Sequence, residues 1–207
     1  MLFYSEEEGV TLIDSCKMEH SIILEEALHK LGKSPSDVRL VLATHGHEDH
    51  IQGSTIFKNA KKFIHPNEEN SMEIADPTHF KYQLSDHEIR KDFECILVGY
   101  HTPGSVAFYH RSSKVLFTGD FLCFFCDPLS KDGLESEGNE LRSEWIEYLR
   151  NGGVKKENLN VFLSGLNGFN SIDPSAMCTG HGGVLVGNIK DFVTDLIEVG
   201  NNYKQNI

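Results

Sequence analysis

Three imidazoles and a carboxylate fall within six positions of Thr44-His45-Gly46-His47-Glu48-Asp49-His50, and this cluster constrains the chain more than any other stretch. It follows Val38-Arg39-Leu40-Val41-Leu42-Ala43, a short apolar, β-branched run between Pro35 and Gly46 that reads as a buried strand. The histidines therefore begin where a strand ends. There a loop can turn several side chains toward one point while the sheet holds the backbone still. His and Asp suit Zn²⁺, Fe²⁺ or Mn²⁺, and no Cys in the cluster competes for a softer metal. A solvated turn gives no reason for this spacing. The zincin signature does not fit either, because it needs a second His at position 51, which is Ile51.

A chain of 207 residues suits one domain, here 1–207, and is long enough to bury a real core. No segment approaches the ~20 apolar residues of a membrane span. Met1-Leu2-Phe3-Tyr4-Ser5-Glu6-Glu7-Glu8 turns acidic at once and lacks a basic start, so it is not a secretory signal, and a cytoplasmic location is expected. The net charge of −12 argues against nucleic acid as a partner, since duplex binding leans on clustered Lys and Arg. Lys61-Lys62 is too short a basic run to change that. Five scattered cysteines, Cys16, Cys95, Cys123, Cys126 and Cys178, suggest reduced thiols and no disulfide framework.

Along the chain, Leu2 to Ser5, a turn at Glu6-Glu7-Glu8-Gly9, and Val10 to Asp14 read as a hairpin. Asp14 at its end is expected to cap a helix or to accept hydrogen bonds in a buried place rather than to catalyse. Ser21 to Leu31 is an expected amphipathic helix, with Ile23, Leu24, Ala27, Leu28 and Leu31 inward and Gly32 as its stop. A short helical stretch near Phe57 and a strand at Lys62-Phe63-Ile64-His65 follow, and residues 66–90 are expected to be an irregular connection. Glu94 to Val98 is a strand leading to His101-Thr102-Pro103-Gly104-Ser105; Val106 to Tyr109 and Lys114 to Thr118 form a hairpin ending in Gly119-Asp120. Phe121-Leu122-Cys123-Phe124-Phe125-Cys126 is too apolar for a free loop; it reads as core or pocket lining, and the absence of a thioredoxin-like pattern speaks against a redox role. Residues 127–140 look like a surface excursion. Helices are expected at Ser143 to Arg150, at Asn160 to Phe169 in mixed form, and at Ile189 to Val199, with a strand at Ala176-Met177-Cys178 before Thr179-Gly180-His181.

Four strand ends thus carry His or Asp, each beside a glycine: the cluster with Gly46, His101 with Gly104, Asp120 with Gly119, and His181 with Gly180. With Leu12-Ile13-Asp14, these segments in this order resemble the metallo-β-lactamase superfamily, and within it the glyoxalase II-like branch. The resemblance reaches from position 12 to position 182. It implies an α/β fold, an αββα sandwich of two mixed β-sheets flanked by helices with the site at one edge. It also implies that His45, His47 and His101 hold one metal ion and Asp49, His50 and His181 a second, with Asp120 bridging both. The cofactor would be two divalent ions, Zn²⁺ first, with Fe or Mn as alternatives. A metal-bridging hydroxide would attack a small thioester, ester or lactone, with Asp49 as the catalytic side chain that orients that water or takes its proton.

Departures from the family pattern narrow this. Asp120 stands where class B1 lactamases have a zinc-binding Cys, so β-lactam hydrolysis is not the expected activity. Only 26 residues follow His181, too few for the helical glutathione-binding domain of full-length glyoxalase II or for the added domains of the nuclease branches. Ser105 replaces a second His after Pro-Gly, and Thr179 replaces a common Pro. Relatives usually have further strands before Leu2; an uncovered sheet edge would suit a second copy of the chain as partner. The alternatives are an oxidoreductase of the persulfide dioxygenase kind with one iron and, less favoured, a metal-dependent phosphodiesterase. His20, His29, His65, His79, His87 and His110 are expected to be surface or core histidines.

Overall fold

Val38–Leu42 is apolar and buried except at the exposed Arg39, and in the computed structural model its backbone forms the middle strand of a sheet. The structure describes residues 2–5, 9–125 and 134–205. They fall into two compact units, Met1–Ser85 and Asp86–Ile207.

The first unit carries β1 (Leu2–Ser5), β2 (Gly9–Ile13), α1 (Ser21–Lys30), β3 (Val38–Leu42), α2 (Glu48–Ile51), β4 (Lys61–Ile64) and β5 (Tyr82–Gln83). Its five strands lie in sequence order; β1 and β2 are antiparallel, and β2 to β5 run parallel. The C-terminal ends of β2 and β3 therefore share an edge, which sets Asp14 beside the histidine cluster. The expected hairpin forms, though its turn at Glu6-Glu7-Glu8 lies outside the described residues. Val10, Leu12, Leu28, Val38, Val41 and Phe57 bury one face, and Ala43, Ile51, Ile64 and Phe80 form a second cluster. The inward stripe of α1 is narrower than expected: only Leu28 is buried, while Ile23 and Leu31 are 60% and 52% exposed. The metal motif is also not all loop, because Glu48, Asp49 and His50 already lie in α2.

The second unit carries β6 (Ile89–Arg90), β7 (Phe93–Leu97), β8 (Val106–His110), β9 (Val115–Phe117), β10 (Glu135–Ser136), α3 (Asn139–Arg150), α4 (Leu159–Gly168), β11 (Ala176–Cys178), β12 (Val184–Val186) and α5 (Ile189–Gln205). Its sheet runs β10-β12-β11-β9-β8-β7-β6. β7, β8 and β9 alternate in direction and β9 is parallel to β11, so β7, β9 and β11 all point the same way. The segments of His101, Asp120 and His181 leave from that common edge. Leu149, Leu163, Leu166, Phe192 and Leu196 of the three helices pack on Ile96, Ala107, Leu116, Met177 and Leu185 of the strands. The fold class expected from the sequence, α/β with two mixed sheets flanked by helices, is the one observed. Residues 66–90 are mainly turns with two very short strands; α3 begins four residues before Ser143, α5 runs on to Gln205, and β12 was not foreseen. Of the expected excursion at 127–140, positions 127–133 lie outside the described residues, as does Cys126; the remainder is β10 and the start of α3.

Candidate metal centre

At the end of β3 the rings of His45, His47 and His50 crowd together. His45 is fully buried, its ring centroid 4.6 Å from that of His47 and 4.0 Å from that of His50. Asp14, with a side chain 16% exposed, organises them. Its Oδ1 accepts the Thr44 backbone N–H at 2.8 Å, and its Oδ2 accepts the Thr44 hydroxyl at 2.9 Å. The same Oδ2 lies 2.9 Å from His50 Nδ1. An ionised carboxylate only accepts, so this nitrogen carries the proton and Nε2 carries the lone pair. The Thr44 hydroxyl has spent its one proton on Asp14, and His45 Nδ1 at 3.1 Å from it is therefore also the protonated nitrogen. Both rings thus direct Nε2 outward as a ligand atom, the usual arrangement when a second group holds a metal-binding histidine. Burial alone would raise the Asp14 carboxyl, but His50, by charge and hydrogen bond, with His45 and the Thr44 N–H, holds it below the ordinary carboxylate range. Asp14 is a hydrogen-bond acceptor as the sequence suggested, though partly and not fully buried, and among the described residues it caps no helix.

A second support was not legible in the sequence. Glu68, fully buried, accepts the Gly46 N–H at 2.8 Å and the Ser71 hydroxyl at 3.2 Å. Glu73 donates its N–H to the Gly46 carbonyl at 2.8 Å and accepts the Glu48 N–H at 3.0 Å. A Cβ at position 46 would meet Glu68 Oε2 at 2.9 Å and Met72 Cα at 3.1 Å, so this turn needs glycine. Both acids come from the weakly patterned stretch after β4, where no periodicity marks them.

In the second unit, His101 and His181 meet on one carboxylate oxygen: their Nε2 atoms lie 3.6 Å and 3.4 Å from Asp120 Oδ2. Gly119 adopts φ +52° just before Asp120, and its carbonyl accepts the Gly180 N–H at 2.8 Å, tying the ends of β9 and β11 together. The two departures from the family pattern have structural work of their own. Ser105 Oγ donates to the Thr102 carbonyl at 2.9 Å and closes the His101 turn, while Thr179 Oγ1 donates to the His181 carbonyl at 2.7 Å. Burial, with the Asp120 charge beside it, pushes the Cys123 thiol up to about 12, and burial raises Cys178 to about 11; neither supplies a thiolate at neutral pH.

The donors fit a metal ion. Ligands on a tetrahedral ion with bonds of ~2.0–2.1 Å stand roughly 3.3 Å apart. His45 Nε2 and His47 Nδ1 are 3.1 Å apart, and His50 Nε2 and Asp49 Oδ2 are 3.7 Å apart. The two pairs on Asp120 match as closely. The side chains expected as ligands, His45, His47, Asp49 and His50 in the first unit and His101, Asp120 and His181 in the second, thus include neighbouring donor atoms at spacings a metal ion could bridge. The other histidines behave otherwise: His65 accepts the Asn67 N–H, His87 pairs with Glu94, and His110 bonds Ser113.

A family model described as the metallo-beta-lactamase superfamily matches residues 1–151. A Methanocaldococcus jannaschii protein named a probable metallo-hydrolase is 31% identical over 105 residues, 51% of this chain and 48% of that protein. A Bacillus subtilis protein, also named a probable metallo-hydrolase, is 24% identical over 166 residues, 72% of this chain and 67% of its own length. The chain spans about half the length of the first of these relatives. A flavo di-iron protein of Thermotoga maritima, solved as a mutant, shares the fold with a TM-score of 0.71 at 16% identity, over 96% of this chain and 52% of that one. A metallo-beta-lactamase family protein of Thermus thermophilus does so with a TM-score of 0.62 at 20% identity, over 99% and 72%.

Proposed function

We propose that this chain, which belongs to the metallo-beta-lactamase superfamily, is a hydrolase with two divalent cations, zinc first, of the glyoxalase II-like branch. Its substrate on this reading is a small thioester, ester or lactone. The observation that carries it is the spacing of the donor atoms, 3.1 Å for His45 and His47 and 3.4 and 3.6 Å for the two histidines on Asp120, where ligands of one ion would stand.

His45, His47 and His101 would hold one ion, Asp49, His50 and His181 the other, and Asp120 both. Bound there, the ions would polarise the acyl carbonyl and lower the pKa of attacking water. The protein does the remainder. Asp14 fixes the His50 tautomer and, through Thr44, that of His45, while Glu68 and Glu73 hold the turn between His45 and Glu48. Asp49, whose side chain is 32% exposed beside His50, takes the proton released as water adds to the carbonyl. The acidic balance of the chain and its donor set favour a small molecule over nucleic acid as substrate.

One observation keeps a second reading in view: nitrogen and carboxylate donors without a thiolate suit iron as well as zinc. A persulfide dioxygenase-like oxidoreductase is that reading. Elemental analysis of protein purified without added metal, with a panel of thioesters, lactones and phosphodiesters, tests both. The proposal expects about two zinc ions per chain and acyl hydrolysis, with both lost in Asp120→Ala and His47→Ala. One iron with oxygen uptake on a persulfide would replace it, and a metal-free variant of full activity would end it.

A further inference from the structure

The second unit contains a cavity of about 360 Å³ between the segment after Asp120 and one face of α3. We propose that it receives the acyl portion of the substrate, and that this portion is an apolar, uncharged group of the size of a phenyl or a short alkyl chain. The inference rests on the hydrolase reading and names the substrate class for it.

The wall is built from the ligand segment itself. Three residues after Asp120, Cys123 lines the cavity, and Phe125 lines it two residues further on. The Phe124 N–H donates to the His181 carbonyl at 3.3 Å, and the Phe125 ring lies nearly parallel to that of His181, 16° apart with centroids 6.4 Å apart. A group in the cavity therefore rests against the chain that carries two of the proposed ligands. Opposite stand Leu141, Trp145 and Tyr148 of α3. Trp145 is fixed: its indole N–H donates to the Cys123 carbonyl at 2.7 Å, and its ring stacks on Phe162 at 7°. With its polar hydrogen committed, the indole offers the cavity a hydrocarbon face.

Size and charge narrow the occupant. A dry cavity of ~150 Å³ holds a benzene molecule, so this volume accepts a phenyl group with its linker. Among the described lining residues Glu144 is the one carboxylate, and there is no Lys or Arg. An acyl group ending in a carboxylate would be desolvated beside a like charge without compensation. Neutral chains are favoured over acidic ones, which sets the cavity apart from a site for anionic peptide conjugates.

Trp145 is the only tryptophan of the chain, so its emission reports on the cavity directly. Phenylacetamide, acetamide and phenylacetate are titrated into the protein while tryptophan fluorescence is followed. The acyl part of esters of p-nitrophenol is then varied from acetyl to hexanoyl to succinyl. Saturable change with phenylacetamide, at least tenfold weaker with phenylacetate and absent with acetamide, is expected. So is a kcat/KM about tenfold or more higher for hexanoyl than for acetyl, given about 0.8 kcal/mol per buried methylene. Phe125→Ala, a change at a side chain 76% exposed, should weaken both preferences. Glu144→Lys should bring succinyl within a fewfold of hexanoyl. Fluorescence that ignores phenylacetamide, or equal binding of phenylacetate, overturns the inference whatever the activity. Specific binding without hydrolysis of any ester or thioester overturns the hydrolase reading and leaves the cavity assignment standing.

Discussion

His50 Nδ1 and Asp14 Oδ2 stand 2.9 Å apart, and through this contact the end of β2 sets the ring of a residue 36 positions later in the chain. The Ser15 N–H and hydroxyl both donate to the His50 carbonyl, at 2.7 and 3.0 Å, so the backbone is held by the same turn. A partner behind a metal-binding histidine is typically worth 10–100-fold in affinity. Asp14→Asn should lower zinc affinity by about that much, measured by competition with a chelating dye. Circular dichroism should report the fold intact. Unchanged affinity in a folded variant would remove Asp14 from the site.

Gly53 lies where α2 ends, and a Cβ there would stand 1.9 Å from the Ser15 carbonyl oxygen, a backbone atom that cannot move aside alone. Its own N–H donates to the Cys16 carbonyl at 2.9 Å. Gly53→Ala should therefore cost about 1–3 kcal/mol by overpacking, read as a fall in the urea midpoint with the slope retained. A neutral result would show that residues 14–16 yield more easily than their contacts suggest. The same shift should displace His50 and weaken metal binding.

The candidate ligands stand out in the sequence because their logic is local: His or Asp close to a glycine just past a strand, repeated at the ends of β3, β7, β9 and β11. Apolar runs such as Val38–Leu42 and Ala176–Cys178 carried the sheets for the same reason. Glu68 and Glu73 were not legible. They act over 22 and 25 residues, from turns whose sequence has no period, and a buried glutamate reads in sequence like an exposed one. The inward stripe of α1 misled because Ile23 and Leu31 match a helical period yet face outward, while Leu28, with the partly buried Leu24, packs on the core. β12 is three residues long, and it pairs because β11 and β10 lie beside it.

His87 offers a pH test away from the ligands. Its Nδ1 lies 3.1 Å from Glu94 Oε1 and its Nε2 3.8 Å from Asp86 Oδ2, on a side chain 57% exposed. The Glu94 hydrogen bond, with the Asp86 charge, raises its pKa above the usual histidine value. The folded state then holds the proton more tightly than the unfolded chain. The stability gained is complete below about pH 6.5 and is lost as pH rises through the elevated folded value. His87→Asn tolerates the φ of +57° found there and removes the titration. The wild-type advantage should be under about 1 kcal/mol at pH 6, since exposure screens the pair, and should vanish by pH 8.5. An advantage that grows with pH would mean the sign is wrong.

Asp120 allows metal and fold to be separated. An ion that binds only the folded chain stabilises it by about 4 kcal/mol when present at a thousand times its Kd. For a chain of this size that corresponds to a rise in Tm on the order of 10 °C. Zinc-replete protein should therefore unfold well above chelator-treated protein. Asp120 Oδ2 stands between the Nε2 atoms of His101 and His181, at 3.6 and 3.4 Å, so truncating it removes the donor those two histidines share. Asp120→Ala should erase most of the zinc-dependent rise, while its chelator-treated Tm stays within a few degrees of the wild-type value under the same treatment. Scanning calorimetry in both conditions decides the matter. A full zinc-dependent rise in the variant would show that the ions rest on other groups. A large drop without metal would show that Asp120 mainly holds the turn between β9 and β11.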